Sequence, residues 1–407
     1  RSKWTKRLLG DIAEEIRVLY EPIHSENLPY IGLGHIGQQT MRILDVGHSS
    51  STESTKKVFR AGDILFGSLR PYFRKVVRPK FDGVCSTDIT VLRARPSVDP
   101  RFLLYLVGSP QFISYATSVS SGTRMPRTNW DVAAEFECDV PDLDTQREIG
   151  FVLSAYDDLI ENNLRRIAIL EEMAQAIYRE WFVEFRYPGH EDSALVESEC
   201  GPIPDGWETM RLTDAVQVNP AAKVEKKLER PYADMACLST SSMIVQFNKT
   251  RTGASGSKFQ NGDTLVARIT PCLENGKTGF VQGLPEDEVA LGSTEFIVLR
   301  SVLLCPEYVY LMARADSFRQ HAVKSMTGAS GRQRVQIACF DDYLLAIPPR
   351  GLLDQFSMIA APMFRQAWTL SEINDRLRQT RDLLLPRLIS GELDVSNVTI
   401  DAEGDNL

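Results

Sequence analysis

The chain of 407 residues has 43% hydrophobic, 25% charged and 9% aromatic side chains. This is the composition of a globular protein with a sizeable core, and it excludes a disordered, collagen-like or purely coiled-coil chain. The length corresponds to two or three domains.

The formal charge of -8 argues at first against nucleic acid, because phosphate binding depends on Lys and Arg side chains. The charges are unevenly distributed, however. Residues 1–148 carry 20 basic and 18 acidic side chains, residues 149–206 carry 4 and 12, residues 207–355 carry 17 and 16, and residues 356–407 carry 5 and 8. Two nearly neutral blocks are therefore separated and followed by acidic segments.

The cysteine pattern bears on the compartment. Seven cysteines are scattered without a C-x-x-C pair, which indicates neither a disulfide framework nor a zinc ribbon and favours a reducing environment. No apolar run reaches about 18 residues, and no charged-then-apolar leader precedes Trp4. We therefore expect no membrane segment, no signal peptide and a cytoplasmic location.

The first block, residues 1–148, is predicted to be a mixed α+β domain. Short β-branched runs bounded by Gly, Pro or Asp predict strands at 63–69 and 89–92. A helix is expected at 101–107, because Pro100 stands where a helix can begin.

A basic segment lies inside this block. Residues 56–80 carry eight Lys and Arg side chains against one acid, a net charge of +7. Such a loop can follow a phosphate backbone while aromatic side chains hold its shape, and the alternative is a solvated basic face. The residues predicted to bind DNA here are Arg70, Tyr72, Arg74, Lys75 and Arg78.

Residues 149–184 are predicted to form a long helix with a coiled-coil seam. Apolar positions recur every seven residues over about five heptads, which exceeds what packing on one globule usually needs. About 34 residues at about 1.5 Å each give a helix of roughly 50 Å. Asp144 is expected to cap it. The alternative is an amphipathic helix packed on its own domain. The two rows are Leu153, Ile160, Ile167, Ala174 and Trp181, and Ile149, Tyr156, Asn163, Leu170 and Ile177.

The rest of the chain repeats this order. A linker rich in Pro, Gly and acids at 185–206 leads to a second α+β block at 207–352, with strands expected at 264–269 and 296–299 and a helix at 308–315. A second long helix is predicted at 353–391 and an acidic flexible tail at 392–407. The second helix has weaker rows that Pro362 and Pro386 interrupt. These rows are Phe356, Met363, Leu370, Leu377 and Leu384, and Ile359, Gln366 and Ile373.

The two α+β blocks are predicted to be copies of one unit. Residues 62–71 share four of ten residues with 262–271, and residues 86–93 share five of eight with 293–300. At background frequencies of about 5–7%, these positions would share roughly one residue by chance. Trp4 and Trp207 stand at the start of the two copies, and the matching segments follow them in the same order. Duplication explains this pattern better than coincidence does.

Enzyme signatures are absent from the pattern. Residues 271–278 end like a phosphate loop, but Pro271 replaces the first glycine and removes an amide donor. Residues 32–37 contain a G-x-G spacing without the helix that a dinucleotide site requires. The five histidines share no metal-ligand spacing, and no G-x-S-x-G elbow occurs. We therefore predict no catalytic residue, no metal site and no cofactor in this chain. The histidines are His24, His35, His48, His190 and His321.

Two arginine-rich loops indicate recognition chemistry. Residues 121–130 and residues 328–336 occupy similar places in the two copies. Arginine reads guanine edges, and Asn or Gln reads adenine edges, through paired hydrogen bonds in the major groove. Solvated turns with structural arginines are the alternative. The DNA-binding residues predicted from these loops, and from the second copy of the basic turn, are Arg124, Arg127, Asn129, Arg268, Lys277, Arg332, Gln333 and Arg334.

Together these stretches resemble the specificity subunit of a Type I DNA restriction-modification system. The likeness is carried by 4–12, 62–71 and 86–88, and most specifically by 141–149 leading into the first long helix and 383–393 near the end of the second. It implies two target-recognition domains in inverted, pseudo-twofold relation, separated by two long antiparallel helices. Each domain would read one half of a bipartite asymmetric DNA site.

The resemblance also implies partners. The helices would set the gap between the half-sites and dock two modification subunits, which bring S-adenosylmethionine and methylate adenine N6. Two motor-nuclease subunits, which use ATP and Mg, would complete the restriction complex. The chain itself would be no enzyme. The residues expected on the partner-docking helices are Ile160, Ile167, Leu170, Ile177, Trp181, Leu370, Ile373, Leu377 and Leu384.

Two other classes of function compete with this interpretation. A self-contained methyltransferase or nuclease would need an N/D-P-P-Y/F-type adenine pocket or a set of metal-binding carboxylates, and residues 219–222 do not supply the former. A coiled-coil scaffold without a DNA role would leave the basic segment and the paired arginine loops without explanation.

Overall fold

The computed structural model describes residues 4–23, 25–247, 249–329 and 331–395, so His24, Ser330 and most of the predicted tail at 392–407 lie outside the described residues. The chain divides into two compact units. Unit 1 comprises residues 1–160 and 376–407, and unit 2 comprises residues 161–375. Each unit therefore holds one copy of the repeat together with a segment of both long helices.

Unit 1 contains mixed strands and helices. Its helices are α1 (Leu9–Ile12), α2 (Pro100–Val107), α3 (Pro110–Ser118), α4 (Trp130–Ala133) and the first part of α5 (Leu143–Phe182). Its strands are β1 (Thr5–Leu8), β2 (Ala13–Glu15), β3 (Leu19–Tyr20), β4 (Pro29–Ile31), β5 (Gly47–His48), β6 (Lys56–Phe59), β7 (Ile64–Gly67), β8 (Val76–Val77), β9 (Gly83–Cys85), β10 (Ile89–Ala94) and β11 (Glu137–Val140).

Unit 2 has a closely similar inventory. Its helices are the second part of α5, α6 (Leu212–Ala215), α7 (Pro306–Arg314), α8 (Asp316–Lys324) and most of α9 (Arg350–Ile389), whose end belongs to unit 1. Its strands are β12 (Leu195–Val196), β13 (Ile203–Pro204), β14 (Glu208–Arg211), β15 (Val216–Val218), β16 (Arg230–Ala233), β17 (Lys249–Arg251), β18 (Ser257–Phe259), β19 (Thr264–Ala267), β20 (Thr278–Phe280), β21 (Ala290–Gly292), β22 (Phe296–Ser301) and β23 (Leu344–Ile347).

The sheets confirm the predicted duplication. One sheet has the order β2-β10-β7-β8 in unit 1 and β15-β22-β19-β20 in unit 2, antiparallel throughout. The other has the order β6-β9-β4-β5 in unit 1, extended by β3 at one edge, and β18-β21-β16-β17 in unit 2. The β4–β9 pair and the β16–β21 pair are both parallel. The mixed α+β class is thus confirmed, and the two copies share one topology.

The repeated Gly-Asp pair has a structural cause. Asp63 is 2% exposed, accepts a hydrogen bond from the Arg60 amide at 2.8 Å and holds the Arg93 guanidinium through two bonds of 2.8 Å. Asp263 does the same with Arg300 at 2.8 and 2.6 Å. The glycine before each aspartate has a φ near +90°, which favours a residue without a Cβ. Each Asp-Arg ion pair therefore joins the turn before one strand to the neighbouring strand: the turn before β7 to β10 in unit 1, and the turn before β19 to β22 in unit 2.

Helix α5 is longer at its start than predicted, and its cap differs. The Asp142 carboxylate accepts the Thr145 amide at 3.0 Å, and this bond holds the pKa of Asp142 below its usual range. The expectation that Asp144 caps the helix is therefore wrong, because Asp144 already lies inside the first turn, where it pairs with Arg147 at 3.1 Å. The helix begins six residues before the expected 149.

The long helices pair within each unit. In unit 2 the Asn163 amide donates to the Asn374 side-chain oxygen at 2.9 Å, and the rings of Trp181 and Phe356 lie 6.0 Å apart. From the first of these contacts to the second, the residue number rises on α5 from 163 to 181 and falls on α9 from 374 to 356. The segments of the two helices in unit 2 are therefore antiparallel. The five residues of the first predicted row on α5 are all buried, from Leu153 to Trp181. The pseudo-twofold relation of the two units stays a prediction.

Helix α9 uses part of the predicted seam, since Phe356 and Leu370 of the first predicted row are 0% and 5% exposed. Ile359 and Ile373 are 37% and 39% exposed, so the second predicted row on α9 is wrong. Small and polar side chains occupy several of the other buried positions on α9, where they carry little apolar signal in the sequence. Pro362 does not interrupt the helix, because it lies on the exposed face, where water can satisfy the freed carbonyl. The buried row is Leu353, Ala360, Ala367, Asn374, Arg381 and Leu388.

Candidate nucleic-acid interface

The basic turn after β7 is less exposed than its charge suggests. Arg74 is 7% exposed, and its Nε donates to the Gly108 carbonyl at 2.6 Å while its Nη atoms lie 3.4 Å from the Asp382 carboxylate. The Lys75 ammonium donates to the Leu33 carbonyl. Arg78 is half-buried, and desolvation lowers its pKa. Arg74 is therefore an interior residue and is not carried forward as a DNA contact.

Tyr72 of the turn faces outward, whereas Arg70 is half-buried. Tyr72 is 43% exposed and packs edge-to-face on Phe73, with ring centroids 4.7 Å apart. Arg70 adopts a left-handed backbone, and its amide donates to the Pro126 carbonyl at 2.7 Å. Its guanidinium reaches the Arg124 carbonyl at 3.3 Å. The turn and the first arginine loop are thus hydrogen-bonded together.

The first arginine loop runs along the end of β7. Arg127 forms β-bridges with Leu69 and with Ser121, and its Nη2 donates to the Asp88 carboxylate. The side chain of Arg127 remains 52% exposed. Arg124 and Asn129 are exposed as well, with Asn129 just before α4. Three of the predicted residues therefore lie together on the surface of unit 1.

The second arginine loop repeats this construction in unit 2. Arg334 forms β-bridges with Ile269 and Thr327, and its side chain is 43% exposed. Its Nε lies 2.9 Å from one Glu295 oxygen and its Nη2 lies 2.8 Å from the other. The Gln333 carbonyl accepts the Thr270 amide at 3.0 Å, as the Pro126 carbonyl accepts that of Arg70 in unit 1.

The remaining predicted residues of unit 2 are less free. Arg332 is exposed, whereas Gln333 and Arg268 are half-buried, and the Arg268 Nη2 lies 3.3 Å from the Val335 carbonyl. Lys277 donates to the Met235 carbonyl at 2.9 Å, which matches the bond from Lys75 to Leu33 in unit 1. Lys75 and Lys277 are therefore equivalent structural lysines, each tying the sheet to a neighbouring turn.

Two carboxylates at this surface were not predicted as site residues. Asp88 and Glu295 stand at corresponding places in the repeat, and each holds the exposed arginine of its own unit. The hydrogen bond from Arg334 holds the pKa of Glu295 below its usual range. The available signal in the sequence was the retention of an acid at a repeated position in copies that differ elsewhere.

We call Arg70, Arg124, Arg127 and Asn129 the arginine edge of unit 1, and Arg268, Arg332, Gln333 and Arg334 the arginine edge of unit 2.

In the described residues, the structure adds no support for the enzyme-like motifs of the sequence. No group of three His, Cys, Asp or Glu side chains that could hold a metal is found within the described ranges. The lysine of the phosphate-loop-like stretch is Lys277, whose ammonium already binds a backbone carbonyl. In the part of the chain that the structure describes, no helix has both the length and the apolar character needed to cross a bilayer.

The predicted docking residues of the helices are mostly interior. Ile160, Ile167, Trp181 and Leu370 are 1–9% exposed. Leu170, Ile177, Leu377 and Leu384 are half-buried, whereas Ile373 is 39% exposed. The four buried side chains therefore pack inside their own units, and the docking role of the others stays a prediction.

Comparisons with known proteins show what the chain is similar to. Residues 1–172 match the family model described as the Type I restriction modification DNA specificity domain. The MjaIX specificity subunit of Methanocaldococcus jannaschii is 23% identical over 85% of this chain and 81% of its own length. The HindI specificity subunit of Haemophilus influenzae is 22% identical over 96% of this chain and 100% of its own length.

One solved structure has a similar fold. The S subunit of a Type I restriction-modification system from M. genitalium aligns with a TM-score of 0.54 and 12% sequence identity, over 96% of both chains. The likeness that the sequence motifs indicated is thereby confirmed: residues 1–172 match the specificity-domain model, and the MjaIX and HindI specificity subunits align with 85% and 96% of the chain.

Proposed function

We propose that each unit of this non-catalytic subunit reads one half of a bipartite, asymmetric DNA site through its arginine edge. The observation that carries the proposal is the duplication of an exposed, carboxylate-held arginine on the same strand end in both units. A single exposed arginine on a turn would be ordinary. Two equivalent ones, in copies that differ at most other positions, are expected when each copy performs the same recognition task on a different sequence.

The net charge of the chain is compatible with this role. The acidic excess lies mainly in residues 149–206, which include most of α5, and not in the recognition copies. Because a carboxylate-rich surface is repelled by phosphate, we infer that this part contacts protein partners. The partners are the modification subunits and, in a restriction complex, the motor-nuclease subunits. Their S-adenosylmethionine, ATP and Mg supply the chemistry that this chain lacks.

The two long helices are proposed to set the gap between the half-sites. Both are continuous over 40 residues, and each has segments in both units. Two weak half-site contacts on one stiff support bind as a single event, because the second contact becomes intramolecular. The comparisons support neither a self-contained methyltransferase or nuclease nor a bare scaffold.

Replacing Arg124 and Arg127 together with alanine is expected to relax one half of the recognised motif and leave the other half unchanged. A bidentate arginine-to-guanine contact contributes about 1–3 kcal/mol of discrimination, so about fivefold or more should be lost. The measurement is sequencing of methylated DNA from cells that carry the variant with its modification partner. The variant Arg332→Ala with Arg334→Ala should relax the opposite half.

The control is Arg147→Ala, which removes an exposed arginine of α5 that belongs to neither arginine edge. Its methylated motif should equal that of the unchanged chain. If the two double variants relax the same half, or if both leave the motif intact, the assignment of one half-site to each arginine edge is refuted.

Shortening both helices by one heptad should shorten the gap and preserve the half-sites. Deleting residues 158–164 and 373–379 removes matched segments, including the Asn163–Asn374 pair. Seven residues at about 1.5 Å each correspond to about 10 Å, or roughly three base pairs at about 3.4 Å. The methylated motif of this variant reports the gap directly, and a gap of unchanged length contradicts the spacer role.

A further inference from the structure

In the function proposed so far, the acid of each repeated Ser-Thr-acid segment only marks the arginine that it holds, and its own contribution to recognition is not explained. Residues 86–88 and 293–295 precede the strands β10 and β22, and each ends in a carboxylate that holds the arginine of the opposite loop. The first copy has Asp88 and the second has Glu295, so the acid is retained although its length differs. The question is what such a pair does at a partly exposed surface.

Stability alone does not account for the pairs. Arg127 and Arg334 are 52% and 43% exposed, and an exposed ion pair contributes about 0–1 kcal/mol to folding. The duplicated pairs of Asp63 with Arg93 and Asp263 with Arg300 already join the strands, with carboxylates that are 1–2% exposed. The surface pairs are thus a second, separately duplicated device.

The geometry of Arg334 shows which donors of its guanidinium do not face Glu295. Its Nε and Nη2 face Glu295, which occupies one side of the planar guanidinium. Within the described residues Nη1 has no hydrogen-bond partner. Arginine presents donors in a rigid fork, so when Nε and the inner Nη2 hydrogen bind a carboxylate, the hydrogens of Nη1 and the outer one of Nη2 point away from it together. Guanine offers a matching pair of acceptors, O6 and N7, in the major groove.

Arg127 has the corresponding arrangement in unit 1. Its Nη2 donates to Asp88, while Nε and Nη1 have no partner among the residues that the structure describes. The shorter aspartate reaches one nitrogen where the glutamate reaches two. Because a held side chain loses less conformational freedom on binding, the carboxylate makes the arginine a better reader.

We propose that Asp88 and Glu295 are positioning residues that aim Arg127 and Arg334 at one guanine in each half-site. This inference rests on the proposed function and adds a base identity and a second residue to it. The bond to the carboxylate also disfavours any arrangement in which the arginine turns toward a phosphate, a contact that carries no base identity. The Arg334 fork keeps the pKa of Glu295 low, so the charged pair persists at neutral pH.

The test compares variants of the full chain expressed with its modification partner, with the methylated motif as the readout. Arg334→Lys keeps the charge but loses the planar fork, so discrimination at one guanine of one half-site should fall about fivefold or more. Glu295→Gln should relax the same guanine position and no other. Arg127→Lys and Asp88→Asn should act in the same way on one guanine of the opposite half-site.

Two controls remove a surface carboxylate that pairs with an arginine elsewhere. Asp131→Asn breaks the pair with Arg17 in unit 1, and Asp316→Asn breaks the pair with Arg319 in unit 2. Both should leave every position of the motif specified. Thermal unfolding of each purified variant complex shows whether a change in motif accompanies a loss of folded protein.

The outcomes separate this inference from the proposed function. If the arginine variants relax a guanine but Asp88→Asn and Glu295→Gln leave it fully specified, the positioning role is overturned and the arginine edges stand. If the relaxed position is not a guanine on either strand, the base assignment is overturned. If the carboxylate variants lose folded complex to the same extent as they lose discrimination, their role is structural and the proposal fails.

Discussion

Replacing Arg381 with alanine is expected to destabilise unit 1 by about 3–5 kcal/mol, the range typical of breaking a buried ion pair. Arg381 is 1% exposed, although it lies on a helix whose other arginines are mostly at the surface. Its Nη1 donates to the Asp157 carboxylate of α5, and its Nη2 donates to Asp382 at 3.1 Å. Without the guanidinium, the half-buried Asp157 carboxylate loses its cationic partner.

The neighbours of this pair make relaxation difficult. Tyr105 of α2 is also 1% exposed and donates its hydroxyl to Asp157 at 2.6 Å. Arg74 lies 3.4 Å from the same Asp382 oxygen that Arg381 binds. A single replacement therefore disturbs the contacts of α2, α5 and α9 together.

The measurement for Arg381→Ala is hydrogen exchange of backbone amides, resolved by segment. The two units need not unfold as one, so a single melting temperature would mix their stabilities. Protection should fall in α2 and in the unit 1 part of α5, while the sheets of unit 2 serve as an internal reference. The matched control is Arg387→Ala on the same helix, where an exposed pair with Glu392 contributes at most about 1 kcal/mol.

A compensated variant separates charge from packing. Arg381→Met with Asp157→Asn removes both charges and keeps most of the volume, so it should recover part of the lost protection. Equal losses in Arg381→Ala and Arg387→Ala would show that the buried ion pair does not hold the helices of unit 1.

Regular elements could be predicted because their signals are local. The repeated Gly-Asp turns precede the strands β7 and β19, and the prolines at 100 and 306 begin α2 and α7 as expected. The five-heptad row on α5 consists of large apolar residues and one alanine, all of which are buried. Patterns of this kind depend on periodicity and backbone geometry, which a single sequence displays.

The buried charges could not be predicted in the same way. Counting Lys and Arg in residues 56–80 indicates a basic surface, but Arg74 turns inward to Gly108 because a partner carboxylate arrives from α9. That partner is more than 300 residues away in sequence. Part of the seam of α9 was missed for a related reason, since Ala360, Ala367 and Asn374 pack there with little apolar signal. Burial of such residues is a property of tertiary packing.

The candidate site was half predictable. Arg127 and Arg334 follow from their residue type and their place in the repeat, whereas the partnership with Asp88 and Glu295 requires the loops to be folded onto the strand ends. A repeated acid in a sequence has many explanations, and only its distance from a guanidinium selects one. The sequence thus identifies candidate recognition residues on loops by their residue type, whereas the residues that hold them in place are identified from the folded structure.

Replacing Phe364 with alanine is expected to destabilise unit 2 by about 3–5 kcal/mol, the range found for removing a buried phenylalanine. Phe364 of α9 is 2% exposed, and its ring lies 4.9 Å from that of Phe280 and 5.5 Å from that of Tyr310, both edge-to-face. The cluster joins α9 to the strand β20 and to α7. Unit 2 thus holds this helix by aromatic packing, where unit 1 uses Arg381 and its carboxylates.

Hydrogen exchange again separates the units for Phe364→Ala. Protection should fall in β20, α7 and the unit 2 part of α9, with the sheets of unit 1 as the reference. Met358→Ala is the matched control, because Met358 lies on the same helix, is 74% exposed and should change stability by less than about 0.5 kcal/mol.

Phe364→Leu keeps an apolar side chain and should lose less stability than the alanine variant, because the cavity that it leaves is smaller. Since Phe280, Phe364 and Tyr310 carry no formal charge at neutral pH, added salt should not deepen the loss. A loss as large in Met358→Ala, or one confined to the amides next to position 364, would contradict the view that this cluster fastens α9 to unit 2.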